Sequence, residues 1–376
     1  MGEFVLRELK NIDYDKELEA IGFDSSYRFR AVEKLDSRLI KVYNLSPAQA
    51  NIIKQTAISI GADCMTHREV ITGNVDQSDV IITANTAELK KISQKLLCQP
   101  FKLKLLAEQL LNHCNKKEKI KTKLVGVLNI TEDSFSDGGE FLELDLAKKQ
   151  FMKLVEDGAD MIDIGAESTR PRSNPVDAKT QLSRLLPILE FALGEGIQLP
   201  ISVDTRSAKV AKEVLKLGEF IINDVSGLKY DKSMLDVLAE RNAGVIIQHS
   251  IATPDVMQDA PVEGDVMERI VFDLREQVAL ARKNGVKNII VDPGVGFGKT
   301  REQCLEILRR FEELEILGCP IMLGLSRKSF LNMPTASNEE KDIMSLALSA
   351  PLIERGVEYL RVHNIKPYRE YIKIIS

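Results

Sequence analysis

The sequence predicts an α/β protein: a (β/α)8 TIM barrel preceded by a small mixed α/β N-terminal domain. Three observations carry that expectation. Eight short apolar runs follow one another after residue 122, most of them trailed by a stretch with helical apolar spacing. These stretches often close on glycine. Nearly every run ends in polar or ionisable side chains. The runs are KLVGVLNI (123–130), MIDIGAES (161–168), PISVDT (200–205), FIINDVS (220–226), GVIIQHS (244–250), NIIVDPG (288–294), IMLGLS (321–326) and YLRVHN (359–364). Strands this continuously apolar are covered on both faces, as in a parallel sheet. Segments such as AKKQFMKLVEDGA and AKVAKEVLKLG supply the covering helices. A doubly wound open sheet also uses strands of this kind, but the number of segments and the length favour the barrel. At 376 residues the chain holds a barrel of about 250 residues plus one smaller domain.

A basic polar stretch, HCNKKEKIKTK (113–123), reads as a solvated linker. It divides the chain into a small α/β domain over 1–115, a linker over 116–123 and a barrel over 124–376. In the first domain, LSPAQANIIKQTAISIGA has a capping Ser46, Pro47 at the first helical position and a closing Gly61. SDVIITANTAELKKISQKL reads as a short strand, a capping threonine or asparagine, then a helix. FKLKLLAEQLLNHC has helical apolar spacing. No chemical motif appears before the linker, and the expected role of this domain is packing or assembly.

Hydrophobic residues make up 44% and charged residues 28%, the balance of a soluble globular chain. The formal net charge of -5 gives no basic surplus, which argues against nucleic acid as a partner. The five cysteines, Cys64, Cys98, Cys114, Cys304 and Cys319, form no CxxC pair and are expected to be buried free thiols. The opening MGEFVLRELK has no apolar signal core, and Leu6 stands where a myristoylation motif wants Ser or Thr. No apolar run approaches the ~20 residues of a membrane span. A cytoplasmic location is expected, with no membrane partner.

The polar strand ends are Asn129, Asp163 with Glu167, Asp204, Asn223 with Asp224, Gln248 with His249, Asp292, Ser326 with Arg327 and Lys328, and Arg361 with His363. In a barrel these ends surround one mouth. One such residue alone more often caps a helix or satisfies a loop amide, the job expected of Asp224, Thr205 and Thr300. Six or more strands converging point to a ligand site. Asp204, Asn223 and Asp292 offer acceptors suited to a flat heterocycle with amino and ring N–H groups. Arg170, Arg361, His363 and Asn129 suit phosphate oxygens or, for Asn129, a metal-bound oxygen; Lys328 serves either end as a point charge. A guanine-like or pterin-like ring bearing a phosphate chain fits this partition. The loops 131–141 and 167–175 read as lids. DPGVGFGKT lacks the spacing of a phosphate loop or a dinucleotide fingerprint, so its glycines are read as tight turns beside a ligand.

GVLNITEDSFSDGGEF, DIGAESTRPRS, SVDT, INDVSG, VDPGVGFGKT, GLSRKSF and RVHN resemble, in order, the motifs of the dihydropteroate synthase family. The resemblance covers roughly residues 123–376. It implies a transferase of folate biosynthesis, a sulfonamide target that joins 6-hydroxymethyl-7,8-dihydropterin pyrophosphate to 4-aminobenzoate. Residue by residue, it implies that Asp204, Asn223, Asp292 and Lys328 hold the pterin. Asn129, Arg170, Arg361 and His363 anchor the pyrophosphate, with Mg2+ near Asn129. Thr169, Pro171, Phe297, Lys328 and Ser329 surround the aminobenzoate. Lys328, Asp204 and Arg361 are the catalytic candidates, and a homodimer is implied. Three positions depart from the family pattern: Glu132 replaces a common proline, Gln248 opens a changed end to strand five, and Asn364 stands where aspartate is common. A methyltetrahydrofolate-binding methyltransferase would share the pterin barrel without needing a pyrophosphate anchor. A non-catalytic pterin binder would not need the ionisable residues this sequence keeps.

Overall fold

The computed structural model describes residue 7 and residues 13–114, 121–130, 140–167, 176–250 and 263–376, with 140–143 by backbone alone. The chain divides into two compact units, Met1–Lys117 and Glu118–Ser376.

The first unit runs α1 (Tyr14–Ala20), α2 (Arg28–Leu35), β1 (Ser37–Leu45), α3 (Pro47–Ile58), β2 (Asp63–Thr66), β3 (Ser78–Asn85), α4 (Thr86–Leu96) and α5 (Leu103–Cys114). Its sheet is antiparallel in the order β1-β3-β2. Ser46 and Gln49 form a reciprocal capping box at the start of α3, with Pro47 at the first helical position. Asn85, not Thr86, caps α4. Ile53, Ile82, Leu89, Ile92 and Leu96 are fully buried between sheet and helices. The sheet's other face is open, so β1 alternates exposed and half-buried residues and gives only a weak strand signal.

The second unit alternates strand and helix. Its strands are β4 (Lys123–Asn129), β5 (Met161–Gly165), β6 (Ile201–Asp204), β7 (Ile221–Asp224), β8 (Gly244–Gln248), β9 (Ile289–Asp292), β10 (Met322–Gly324) and β11 (Tyr359–Val362). Its helices are α6 (Glu140–Glu156), α7 (Ala178–Gly194), α8 (Ala208–Leu217), α9 (Met234–Glu240), α10 (Val266–Lys283), α11 (Arg301–Arg310), α12 (Asn338–Glu354) and α13 (Ile365–Ile375). The strands pair in parallel in the order β10-β11-β4-β5-β6-β7-β8-β9. The ring closes through a single bridge, Val291 to Ile321, where the Val291 N–H donates to Pro320 O at 2.9 Å. This is a (β/α)8 TIM barrel, and each strand lies inside one of the eight apolar runs.

Strand alternation sorts the barrel's side chains into two populations. Val125, Met161, Ile246, Ile290 and Met322 form an apolar plug inside the ring. Leu124, Ile162, Val203, Ile222, Val245 and Leu360 face outward and are buried under the helices. Two residues further along the inward rows of β5, β8 and β9, the apolar plug gives way to Asp163, Gln248 and Asp292. Thr300 caps α11 in a box with Gln303, Thr205 bonds Gln181, and Asp224 accepts from the Ser226 and Leu228 amides, all structural roles as expected. Cys64, Cys114, Cys304 and Cys319 are buried free thiols, but Cys98 is exposed in the turn after α4, where the helix has already left the core. Among the described residues no helix is long and apolar enough to cross a membrane.

Candidate active site

The polar layer above the plug is organised by Asp163. It sits two residues beyond Met161 on β5 and is buried. Its Oδ1 accepts from Ser202 Oγ at 2.7 Å; its Oδ2 accepts from Asn223 Nδ2 at 3.0 Å and from Arg361 Nη1 at 3.1 Å. Arg361 Nη2 donates to Gln248 Oε1 at 3.2 Å and stands 3.9 Å from Asp292 Oδ2. Gly324 on the neighbouring strand makes room for the guanidinium, since a Cβ there would lie 3.1 Å from Arg361 Nε. A buried guanidinium is tolerable only when paired and hydrogen-bonded, and three side chains from β5, β8 and β9 meet that need.

The network leaves specific atoms over. Asn223 Oδ1, Gln248 Nε2 and Asp292 Oδ2 are buried and have no hydrogen-bond partner among the described residues. Asp204 stands beside them. A Cβ on Gly165 would lie 3.4 Å from both Asn129 Oδ1 and Asp204 Cβ, so those two side chains flank the bare glycine at the mouth. Burial, and then the charge of Asp163, pushes the Asp204 carboxyl well above the ordinary range.

The loop after β9 forms the adjoining wall. The Gly294 N–H donates to Asp292 Oδ1 at 2.7 Å. Gly294 has φ +66, and a Cβ there would fall 2.0 Å from His249 O. Lys299 Nζ donates to Gly294 O and Phe297 O, each at 3.0 Å, and Gly296 N–H donates to Cys304 Sγ at 3.2 Å. From the other side Lys328 Nζ donates to Val295 O at 2.6 Å and lies 4.4 Å from the centre of the Phe297 ring. Burial lowers Lys328 to about 7, helped by the charge of Arg361, and burial likewise brings Lys299 to about 7. Arg327 adopts φ 58 and is held there by a two-point pair with Asp342, both contacts at 2.7 Å. Ser329 follows Lys328 and is exposed. His363 Nδ1 meets Ser326 Oγ at 3.1 Å; burial, then the charge of Arg327, lowers His363 to about 4. Asn364 begins α13 without a side-chain capping bond.

The structure therefore brings Asn129, Asp204, Asn223, Asp292, Phe297, Lys328, Arg361 and His363 to one end of the barrel. Thr169, Arg170, Pro171 and Glu132, with most of the two expected lids, lie outside the described residues. The sequence marked Asp163 as a polar strand end at the mouth but gave it no ligand role, and it did not single out Lys299. Asp163 had a signal: a carboxylate inside MIDIG, a run covered on both faces, requires a buried cationic partner. A hollow of about 790 Å3 lies at the opposite end of the barrel, lined in part by Lys216, Arg241, Arg282 and Lys287. None of the unpartnered buried atoms belongs to it, so the chemistry does not converge there.

Residues 125–363 match the family model described as pterin binding enzyme. A dihydropteroate synthase from Clostridium beijerinckii is 39% identical over 251 residues, 65% of this chain and 90% of that protein. The chain belongs to the dihydropteroate synthase family. The crystal structure of the family member from Clostridium difficile, determined in the presence of pteroic acid, superposes with a TM-score of 0.63. It is 40% identical and covers 69% of this chain and 97% of that one. A probable bifunctional folylpolyglutamate synthase/dihydropteroate synthase from Halobacterium salinarum is 36% identical over 351 residues. That match spans 87% of this chain and 41% of the archaeal protein, more than the barrel unit alone, so it reaches into the N-terminal unit.

Two stability measurements test this geometry. Asp163→Ala strands the Arg361 guanidinium and should cost about 3–5 kcal/mol in urea unfolding; a loss under about 1 kcal/mol would show that the pair is not the keystone. His249 and His363 are both held neutral to about 4 by burial, against an ordinary 6.5. Between those values the unfolded chain binds more protons than the folded one, so stability should rise with pH across the window and fall as pH drops through it. His249→Gln should flatten that slope in urea titrations run at a series of pH values.

Proposed function

We propose that the chain is a transferase of folate synthesis. It condenses 6-hydroxymethyl-7,8-dihydropterin pyrophosphate with 4-aminobenzoate to give 7,8-dihydropteroate and pyrophosphate. The observation that carries this reading is the set of unsatisfied buried atoms around Arg361. Leaving a buried polar atom unmade costs about 1–3 kcal/mol, so such a set is retained where a ligand completes it. In this reading Asp204, Asn223, Asp292 and Lys328 hold the pterin. The carboxylates and Asn223 Oδ1 accept from the ring's amino and N–H groups, while Lys328 donates to its acceptors.

Pyrophosphate falls to Asn129, Arg170, Arg361 and His363. Arg361 acts here through the N–H groups not already given to Asp163 and Gln248. Thr169, Pro171, Phe297, Lys328 and Ser329 surround the aminobenzoate. The bond from the pterin methylene carbon to the pyrophosphate oxygen breaks, and the aromatic amine forms the new carbon–nitrogen bond and then loses a proton. Delocalisation into the pterin supports the carbon between those events, so no covalent enzyme intermediate is required. Lys328, Asp204 and Arg361 act by electrostatics and position.

Asn129 Oδ1, beside Asp204 over Gly165, is a hard oxygen donor of the kind Mg2+ takes, and the residues fit that ion. When bound it would offset the charge of the leaving pyrophosphate. The reading includes a cytoplasmic homodimer, which rests on the family resemblance, and a packing or assembly role for the N-terminal unit.

The deciding assay is pyrophosphate release with dihydropterin pyrophosphate and Mg2+, with and without 4-aminobenzoate. Aminobenzoate-dependent release together with dihydropteroate is expected; binding without turnover would overturn the assignment. Asp292→Ala or Asp204→Ala should weaken pterin binding by about 1–3 kcal/mol in calorimetry, and undiminished affinity in both would remove them from the pocket. Because Lys328 sits at about 7, an anionic ligand should raise its proton affinity and draw in a proton at pH 8. Calorimetry in buffers of different ionisation enthalpy reads that uptake, which should vanish in Lys328→Met.

A further inference from the structure

Gln248 ends β8 with no exposed surface, on the inward-facing side of the strand that also carries Ile246. Its two amide ends are told apart by chemistry. Arg361 Nη2 lies 3.2 Å from one of them, and a guanidinium only donates, so that end is the carbonyl Oε1. The other end is therefore the NH2 group. Nε2 is buried and has no hydrogen-bond partner among the described residues. Asn223 is fixed by the same logic: its Nδ2 donates to the Asp163 carboxylate, which leaves Oδ1 as the free end. Two further unsatisfied atoms in the layer, Asn223 Oδ1 and Asp292 Oδ2, are acceptors. Gln248 Nε2 is the donor among these three.

We infer that Gln248 is a specificity-determining residue whose Nε2 donates a hydrogen bond to an acceptor on the bound heterocycle, the ring carbonyl of a 4-oxo pteridine. This rests on the pterin reading of the site and sharpens it. Arg361 holds the amide in place, so the donor is oriented before the ligand arrives and little side-chain freedom is lost on binding. A site built to hydrogen-bond one ring substituent rejects the ring lacking it, because the buried group is then left unpaired. A 4-amino group would set donor against donor at this position. Gln248 thus selects an oxo ring over an amino ring, a choice separate from the recognition of ring N–H groups by Asp204 and Asp292.

The test uses the full chain and calorimetric titration with two probes, 6-hydroxymethylpterin and its 2,4-diamino counterpart, against wild type, Gln248→Met and Gln248→Glu. Methionine is of similar volume and removes both polar atoms. Glutamate keeps an oxygen for Arg361 and puts a second acceptor oxygen where the donor stood, so it serves if the methionine variant does not fold. Wild type should prefer the 4-oxo ring, and each variant should cut that preference by about tenfold, the worth of one net hydrogen bond. The change in preference, and not its wild-type size, isolates Gln248, since the carboxylates also sense the ring's N–H pattern. An unchanged preference in the folded variants overturns the inference and leaves the pterin site standing. Wild type that binds neither ring overturns the pterin reading, and this inference with it.

Discussion

The buried pair between Asp163 and Arg361 is the constraint on which the rest of the site depends. It links β5 to β11 across the inside of the ring, and each partner orients one amide: Asp163 sets Asn223, Arg361 sets Gln248. Neither charge is tolerable there alone, so the pair holds the polar layer to one arrangement. Below it the barrel is a dry plug of Val125, Met161, Ile246, Ile290 and Met322. The boundary between plug and polar layer falls within a single strand alternation. The floor of the site is therefore rigid for the same reason that the barrel is stable.

The wall beside Asp292 reaches rigidity by other means. It is a loop, yet its backbone groups are taken up one after another: Gly294 N–H by Asp292, Gly294 O and Phe297 O by Lys299, Val295 O by Lys328, Gly296 N–H by Cys304. The tie from Lys299 is unusual in that a buried ammonium is satisfied mainly by carbonyl oxygens rather than by a carboxylate. Its lowered proton affinity follows first from burial, and the nearby charge of Lys328 adds to it. The amine keeps N–H groups to donate after losing its charge, so the tie is less sensitive to protonation than an ion pair would be.

Much of the barrel was legible in the sequence, because parallel strands covered on both faces write themselves as apolar runs. The polar strand ends marked the functional end for the same reason: nothing in a covered strand is polar without cause. The hub was harder to read. Asp163 and Arg361 are 198 residues apart, and only the closed ring makes them neighbours. The pairing of two amides with opposite free ends was also out of reach, since it depends on which atom each charged partner faces. In the N-terminal unit α3, α4 and α5, though not α1 and α2, were readable from caps and spacing. Strand β1 was not, because its sheet has one open face and its alternation is muted.

The ring itself has a thin place. Seven neighbouring strand pairs are joined by ladders, whereas β9 and β10 are joined by one bridge at Val291. A closed hoop with one slender joint yields there first, so the lowest-energy local opening of the barrel should run between these strands. The residues on either side of that gap are Asp292 and, a few positions past β10, Lys328. The slender joint thus lies between two walls of the pocket itself. Amide exchange would register its opening first at the Val291 N–H.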